Sequence, residues 1–333
     1  MVYNWQKKIT KDVSSMKALR LTIVVCVTAF VCVLYLYVFK NQKLYETYRC
    51  LSGASPWYSC YLKTDYDFRT DLFGITYEGN IKNLVDREIL RYGAYEKQVL
   101  YFLRDTMQSV SSGGGVFVDI GANTGQHSMF MARYAKQVHA FEPYEPVLER
   151  FRRMVKINNI PNIVIHPVGL GSERATKTFY KPPETNLGSG SFVEGYNQEN
   201  TKSEKLEIAV GDEELEKAAV ERVDLVKIDV EGYEKFVLQG LVRTLSTRRP
   251  VVAFEVSVDP QNPDFFKSIE DIRKVFPENY EFLAFDMKNF DPYTGLYQLV
   301  ELAPDLRFDI PGYYEFVAYP IEKRNQIPRR NLR

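Results

Sequence analysis

Apolar and polar positions along the chain fall into three regimes. Residues 21–39 (LTIVVCVTAFVCVLYLYVF) carry no charge, Gly, Pro, Asn or Gln. As a helix rising ~1.5 Å per residue they would span about 28 Å, close to the ~30 Å hydrocarbon core of a bilayer. Residues 88–110 show helical spacing, with Ile89, Leu90, Val99, Leu100, Phe102, Leu103 and Met107 on one face and Gly93 interrupting them. Beyond the breaker SSGGG at 111–115 the pattern changes to short apolar runs separated by amphipathic ones. VFVDI (116–120), QVHAFEP (137–143), NIVIHPVGL (162–170), VDLVKID (223–229) and PVVAFEVS (250–257) read as strands, and PVLERFRRMVKINN (146–159) as a helix. Strands alternating with helices predict an α/β fold with a doubly wound, mostly parallel sheet and right-handed crossovers. EFLAFD (281–286) and YYEFVAYP (313–320) are expected to close it as an antiparallel last pair. Residues 172–211, with Pro182, Pro183 and GSGS at 188–191, interrupt the alternation and read either as a lid or substrate loop or as a solvated hairpin.

Charge sharpens the reading of the apolar stretch. Residues 1–20 hold Lys7, Lys8, Lys11, Lys17 and Arg20 against Asp12, whereas Lys40, Lys43 and Arg49 follow the stretch. It ends in Tyr35, Tyr37, Val38 and Phe39 instead of the small residues of a cleavage site, which favours a retained signal anchor over a removed leader. The basic excess before it predicts a cytoplasmic N-terminus. The organisation expected is a basic tail (1–20), a single transmembrane anchor (21–39), a stem (40–85), a catalytic domain (86–322) and a basic tail (323–333). A single-pass type II membrane protein of the ER or Golgi, its catalytic domain in the lumen, follows. Cys50 and Cys60 would there close a short disulfide loop or remain free thiols. Across the whole chain 43 basic residues balance 43 acidic ones, so the wide positive field of a nucleic-acid binder is missing. A 45% hydrophobic composition excludes wholesale disorder.

The chemistry concentrates after the strand 116–120. Asp119 closes it, and Gly121-Ala122-Asn123-Thr124-Gly125 turns the chain into a helix, a nucleotide-type cradle at the carboxyl end of a strand. A dinucleotide fingerprint would place a second glycine where Asn123 stands. The looser spacing suits a ligand without phosphate that carries a sulfonium and an amino acid, namely S-adenosylmethionine. Glu142, at the end of the next strand, is placed to accept hydrogen bonds from both ribose hydroxyls. Among the three histidines, His127 opens the helix at the loop and is a candidate base, while His139 and His166 lie in strands as packing residues. No Cys/His cluster has zinc spacing, so no metal ligands are assigned and use of a divalent metal stays open. Glu255, in the strand 250–257, faces the same cleft by topology, either against substrate or as a structural acid.

VFVDIGANTGQHSMFMAR, HAFEPYEPVLERFRRMVKINN and VDLVKIDVEGYEKFVLQG together resemble the FkbM-type methyltransferases, S-adenosylmethionine-dependent O-methyltransferases. The resemblance implies a class I methyltransferase (Rossmann-like) fold and methyl transfer to a hydroxyl. It assigns Asp119, Gly121, Ala122, Asn123 and Gly125 to the cofactor loop and Glu142 to the ribose. Lys227, Asp229, Glu231 and Gly232 match the block around the fourth strand. His127 stands where the family often has an aromatic residue. Asp229 is expected to organise the cofactor or act as base, with Glu231, Lys227 and His127 as further catalytic candidates. The acceptor expected is a small-molecule or glycan hydroxyl. Two alternatives stand beside it: a type II glycosyltransferase, for which Asp65 and Asp67 would supply a metal-binding acid pair, and a non-catalytic methyltransferase-like scaffold.

Overall fold

Hydrogen-bonding needs divide the chain into the elements seen in a computed structural model, which describes residues 65–111, 114–258, 262, 264–286, 291–302 and 312–331. The unit Tyr66–Arg333 begins with the hairpin β1 (Asp67–Leu72) and β2 (Ile75–Asn80). Its turn passes through left-handed Phe73 and Gly74, and the Asp71 carboxylate accepts the Gly74 N–H at 3.0 Å. Helix α1 (Leu84–Tyr92) stops at Gly93, left-handed at φ 82°, and α2 (Lys97–Val110) begins four residues on. The single periodic stretch at 88–110 is therefore the end of one helix and the whole of a second.

The α/β portion follows as β3 (Val116–Ile120), α3 (Gln126–Met131), β4 (Gln137–Phe141), α4 (Glu145–Ile157) and β5 (Ile163–His166). Next come β6 (Gly169–Gly171), β7 (Ala175–Lys181), β8 (Lys202–Val210), α5 (Gly211–Lys217), β9 (Leu225–Ile228) and α6 (Glu234–Gln239). The chain closes with β10 (Val251–Val258), α7 (Ile269–Val275), β11 (Tyr280–Phe285), β12 (Leu299–Glu301) and β13 (Gly312–Pro320). The main sheet has the order β12-β11-β13-β10-β9-β3-β4-β5. Strands β10, β9, β3, β4 and β5 run parallel, while β13 opposes both β10 and β11 and β12 opposes β11.

Two expectations are corrected. The sheet is mixed rather than mostly parallel: the antiparallel pair expected from 281–286 and 313–320 does form, as β11 with β13, but β13 enters between β10 and β11 and β12 adds a further antiparallel edge. The anchor at 21–39, like the disulfide loop at Cys50 and Cys60, lies outside the described residues. Among the described residues no helix is long and apolar enough to cross a membrane. The longest of them, α2 with 14 residues, would reach about 21 Å and is amphipathic. The preceding transmembrane helix, the type II topology and the ER or Golgi placement are therefore unsupported and are set aside.

The run 162–170 also divides. Strand β5 stays in the main sheet, whereas β6 joins β8 and β7 in a separate three-stranded sheet, and residues 175–210 form an antiparallel pair. Alternation along the central strands builds a core on each face of the main sheet. Phe117, Leu225, Val251 and Ala253 pack with α2 and α3, and Val118, Val226, Ile228 and Phe254 pack with α6 and α7. Burial on both faces is why these strands read as near-continuous apolar runs.

Candidate active site

The strand order reverses direction between β3 and β9, so the carboxyl ends of these strands splay around a crevice, the usual ligand position in an open α/β sheet. The loop after β3 forms its floor. Gly121 and Ala122 both donate their N–H groups to the Phe141 carbonyl, at 2.9 and 3.0 Å, which pins the loop across the end of β4. Gly121 is left-handed at φ 82°, and a Cβ there would stand 1.7 Å from the Asp229 carbonyl oxygen. At Gly125, also φ 82°, a Cβ would stand 2.0 Å from the Phe151 ring. Both glycines are thus required by contacts within the protein. Asn123, left-handed at φ 51°, accepts the Thr124 N–H on its own side-chain oxygen at 2.7 Å.

Glu142 follows β4 immediately and lines the cleft. One carboxylate oxygen accepts the Asn123 N–H at 3.0 Å, and the other accepts the Tyr144 N–H at 2.8 Å. Burial pushes its pKa up to about 7, against the pull of those two amides. Each oxygen keeps a lone pair, so Glu142 holds the loop and can still accept two hydroxyls. The cleft encloses about 710 Å³ including its open mouth, and Gly121, Asn123, Asp229 and Glu231 also line it. Asn186, Leu187, Gly188 and Gly190, between β7 and β8, form its far wall. That wall is tied down by the Ser191 hydroxyl, which donates to the Glu231 carbonyl at 2.6 Å.

Asp229 meets the Lys227 ammonium at 2.9 Å. Burial alone would lower the Lys227 pKa, but Asp229, Asp119 and Glu96 outweigh it and hold the ammonium charged well above its ordinary range. Held as the ammonium, Lys227 is the ion-pair partner of Asp229. Asp119 is completely buried beneath the loop, opposite Lys227 in the strand register, and accepts the Ser128 hydroxyl at 2.6 Å. It does not line the cleft, and neither does His127. His127 is buried behind the loop with Nε2 3.6 Å from Glu96, and burial first, then Lys227, drives its pKa well below the usual imidazole value. Glu231, left-handed at φ 53°, has its carboxyl pushed well up by burial and by Asp229. The acid that caps the loop into α6 is Glu234, which accepts the Gly232 N–H at 3.0 Å. Of the alternative acid pair, Asp67 starts β1 and accepts the Asn80 side-chain amide at 3.0 Å, away from the cleft lining.

The sequence reading missed a buried network that braces the glycine loop. Tyr77 donates to Asp86 at 2.7 Å and meets Thr124 at 3.1 Å. Asp86 also accepts the Arg150 guanidinium at 2.7 Å and the Asn80 N–H at 2.9 Å. Hairpin, α1, loop and α4 are joined through one carboxylate. It also missed Glu96, the residue before α2, and Glu315 in β13; an acid between Gly93 and a helix was the only local signal for the first.

A glycine turn at the switch point of an open α/β sheet, with an acid at the end of the neighbouring strand, is the place where ligands bind in this architecture. Residues 119–284 match the family described as the methyltransferase FkbM domain, and the chain belongs to that family. It is similar to Methyltransferase 1 of Beauveria bassiana, with 32% identity over 37% of this chain and 57% of the relative. It is also similar to the hexuronic acid methyltransferase AglP of Haloferax volcanii, with 31% identity over 44% of this chain and 59% of the relative. The chain thus spans under two thirds of the length of these relatives. Among solved structures, an FkbM methyltransferase from Methylobacillus flagellatus aligns with a TM-score of 0.38 and 16% identity, over 62% of this chain and 44% of its own.

Proposed function

We propose that this protein is an S-adenosylmethionine-dependent O-methyltransferase acting on a hydroxyl of a small molecule or glycan. The observation that carries the reading is Glu142, a buried carboxylate fixed by two backbone amides at the mouth of the glycine loop with acceptor capacity left for a pair of hydroxyls. The residues fit the cofactor: a diol acceptor in Glu142, apolar Val147, Leu187 and Val230 for a nucleobase, and Asp229 for a cationic group. When bound, S-adenosylmethionine supplies a methyl group already activated on sulfur. The protein must then hold an acceptor oxygen in line with it, exclude water and remove one proton. Asp229, oriented by Lys227, takes that proton, and the wall 186–190 shields the cleft. The name of the AglP relative supports a sugar acid as one acceptor to try.

Isothermal titration with S-adenosylhomocysteine tests the cofactor assignment. Glu142→Ala is expected to weaken binding by about 1–3 kcal/mol, and unchanged affinity overturns the ribose role. With labelled S-adenosylmethionine and a panel of sugars and uronic acids, Asp229→Asn should lower turnover by roughly 10²–10⁴-fold. Binding without transfer to any hydroxyl would instead support the scaffold.

A further inference from the structure

The face of the sheet that carries Asp119 and Lys227 continues across β10 and β13 with further acids, and Lys227 is the base whose charge acts on Glu96 and Glu315. Glu255 and Glu315 are direct partners in the antiparallel register, level with the end of β9, and Glu96 reaches them from the start of α2. One carboxylate oxygen from each lies within 4.8 Å of the other two. Like charges directly opposite on adjacent strands repel, so the arrangement is costly as it stands. Burial and the neighbouring acids raise the pKa of all three, that of Glu96 to about 7.

A second observation points to a missing electrophile. The Glu96 Oε2 atom is inaccessible and has no hydrogen-bond partner. His127, with only 9% of its side chain exposed, aims an equally unpartnered Nε2 at that atom from 3.6 Å. We propose that Glu96, Glu255 and Glu315 bind a hard divalent cation of the magnesium, manganese or calcium class, with His127 at the margin of the site. Three atoms no more than 4.8 Å apart share a point at most about 2.8 Å from each, a few tenths of an ångström outside calcium–oxygen distances and further from those of magnesium. An all-carboxylate donor set selects such ions over soft metals. Lys227, which pairs with Asp229 of the cleft lining, links this site electrostatically to the cleft. If the methyltransferase reading holds, on which this last step rests, the cation also screens the acidic field from an anionic acceptor.

Manganese is the probe. The full chain, freed of metal with a chelator, is titrated with MnCl₂ while free Mn²⁺ is followed by electron paramagnetic resonance, and S-adenosylhomocysteine binding is measured in parallel. One saturable site per chain is expected, displaced by Mg²⁺ or Ca²⁺. Glu255→Gln and Glu96→Gln should each weaken it by at least roughly tenfold, while Glu213→Gln, an exposed acid, leaves it unchanged. Absent binding, or equal binding in the Glu255 and Glu96 variants, overturns the proposal. If either variant misfolds, the melting temperature of the wild-type chain decides: a saturable rise with Mn²⁺ supports the site, and no rise sinks it. Manganese bound without S-adenosylhomocysteine would instead refute the cofactor reading and leave the cation site standing.

Discussion

Two groups of buried acids flank the same glycine loop, and the fold treats them oppositely. Asp86 is wholly inaccessible yet its carboxylate receives three donors: the Tyr77 hydroxyl, the Arg150 guanidinium and the backbone N–H of Asn80. Glu96, Glu255 and Glu315 instead gather within 4.8 Å of one another, with the charge of Lys227 acting on Glu96 and Glu315. A buried carboxylate surrounded by donors is part of the scaffold, since its desolvation is offset where it stands. A set of carboxylates turned together is destabilising until something positive joins it. Glu142 lies between these extremes, held by two amides and open to more.

Removing the satisfied acid should do the most damage. Asp86→Ala leaves Arg150 without its buried partner and Tyr77 without its acceptor, and is expected to cost about 3–5 kcal/mol in urea or thermal unfolding. A loss below about 1 kcal/mol would erase the distinction between the two groups. Neutralising an unsatisfied acid should do the reverse. In chelator, Glu315→Gln is expected to leave stability unchanged or to raise it by up to about 1 kcal/mol, because a like-charge cross-strand pair is relieved. A clear drop in melting temperature would show that Glu315 already has the partners Asp86 has.

The smallest effect concerns buried bases. His139 and His166 touch at 3.0 Å, and burial, with His166 second, lowers the His139 pKa to about 4. Both stay neutral in the folded state at pH values where the unfolded chain binds protons. Stability from this pair is therefore complete above about pH 6.5 and is lost progressively as pH falls toward 4. His139→Gln should flatten the melting-temperature profile in that window, and an unchanged slope would remove the pair from the acid response.

Much of the strand–loop–helix–strand unit at the cleft was legible along the chain because its determinants are local. Asp119, the glycine turn and Glu142 fall within one strand–loop–helix–strand unit, and the periodicity of each segment identifies it. What the structure shows of the two glycines is a packing need, since Gly121 makes room for the Asp229 carbonyl and Gly125 for the Phe151 ring, neighbours that no local pattern reveals. Residues 172–211 left two readings open, a substrate loop or a hairpin, and the structure contains both: β7 and β8 pair antiparallel, and the Pro- and Gly-rich segment between them walls the cleft. His127, adjacent to the loop in sequence, turned away from the cleft because its helix buries it.

Alternation of apolar runs, the residues able to turn left-handed and the acids that end strands were determined by the sequence alone, because each depends on near neighbours and on burial that repeats with a fixed period. Only the tertiary structure decided that β13 would enter beside β10, and with it that Glu315 would face Glu255 while Arg150 reached Asp86. Whether a carboxylate meets a donor or another carboxylate is a matter of what distant segments bring to it, and a charge buried without water takes its meaning from that company.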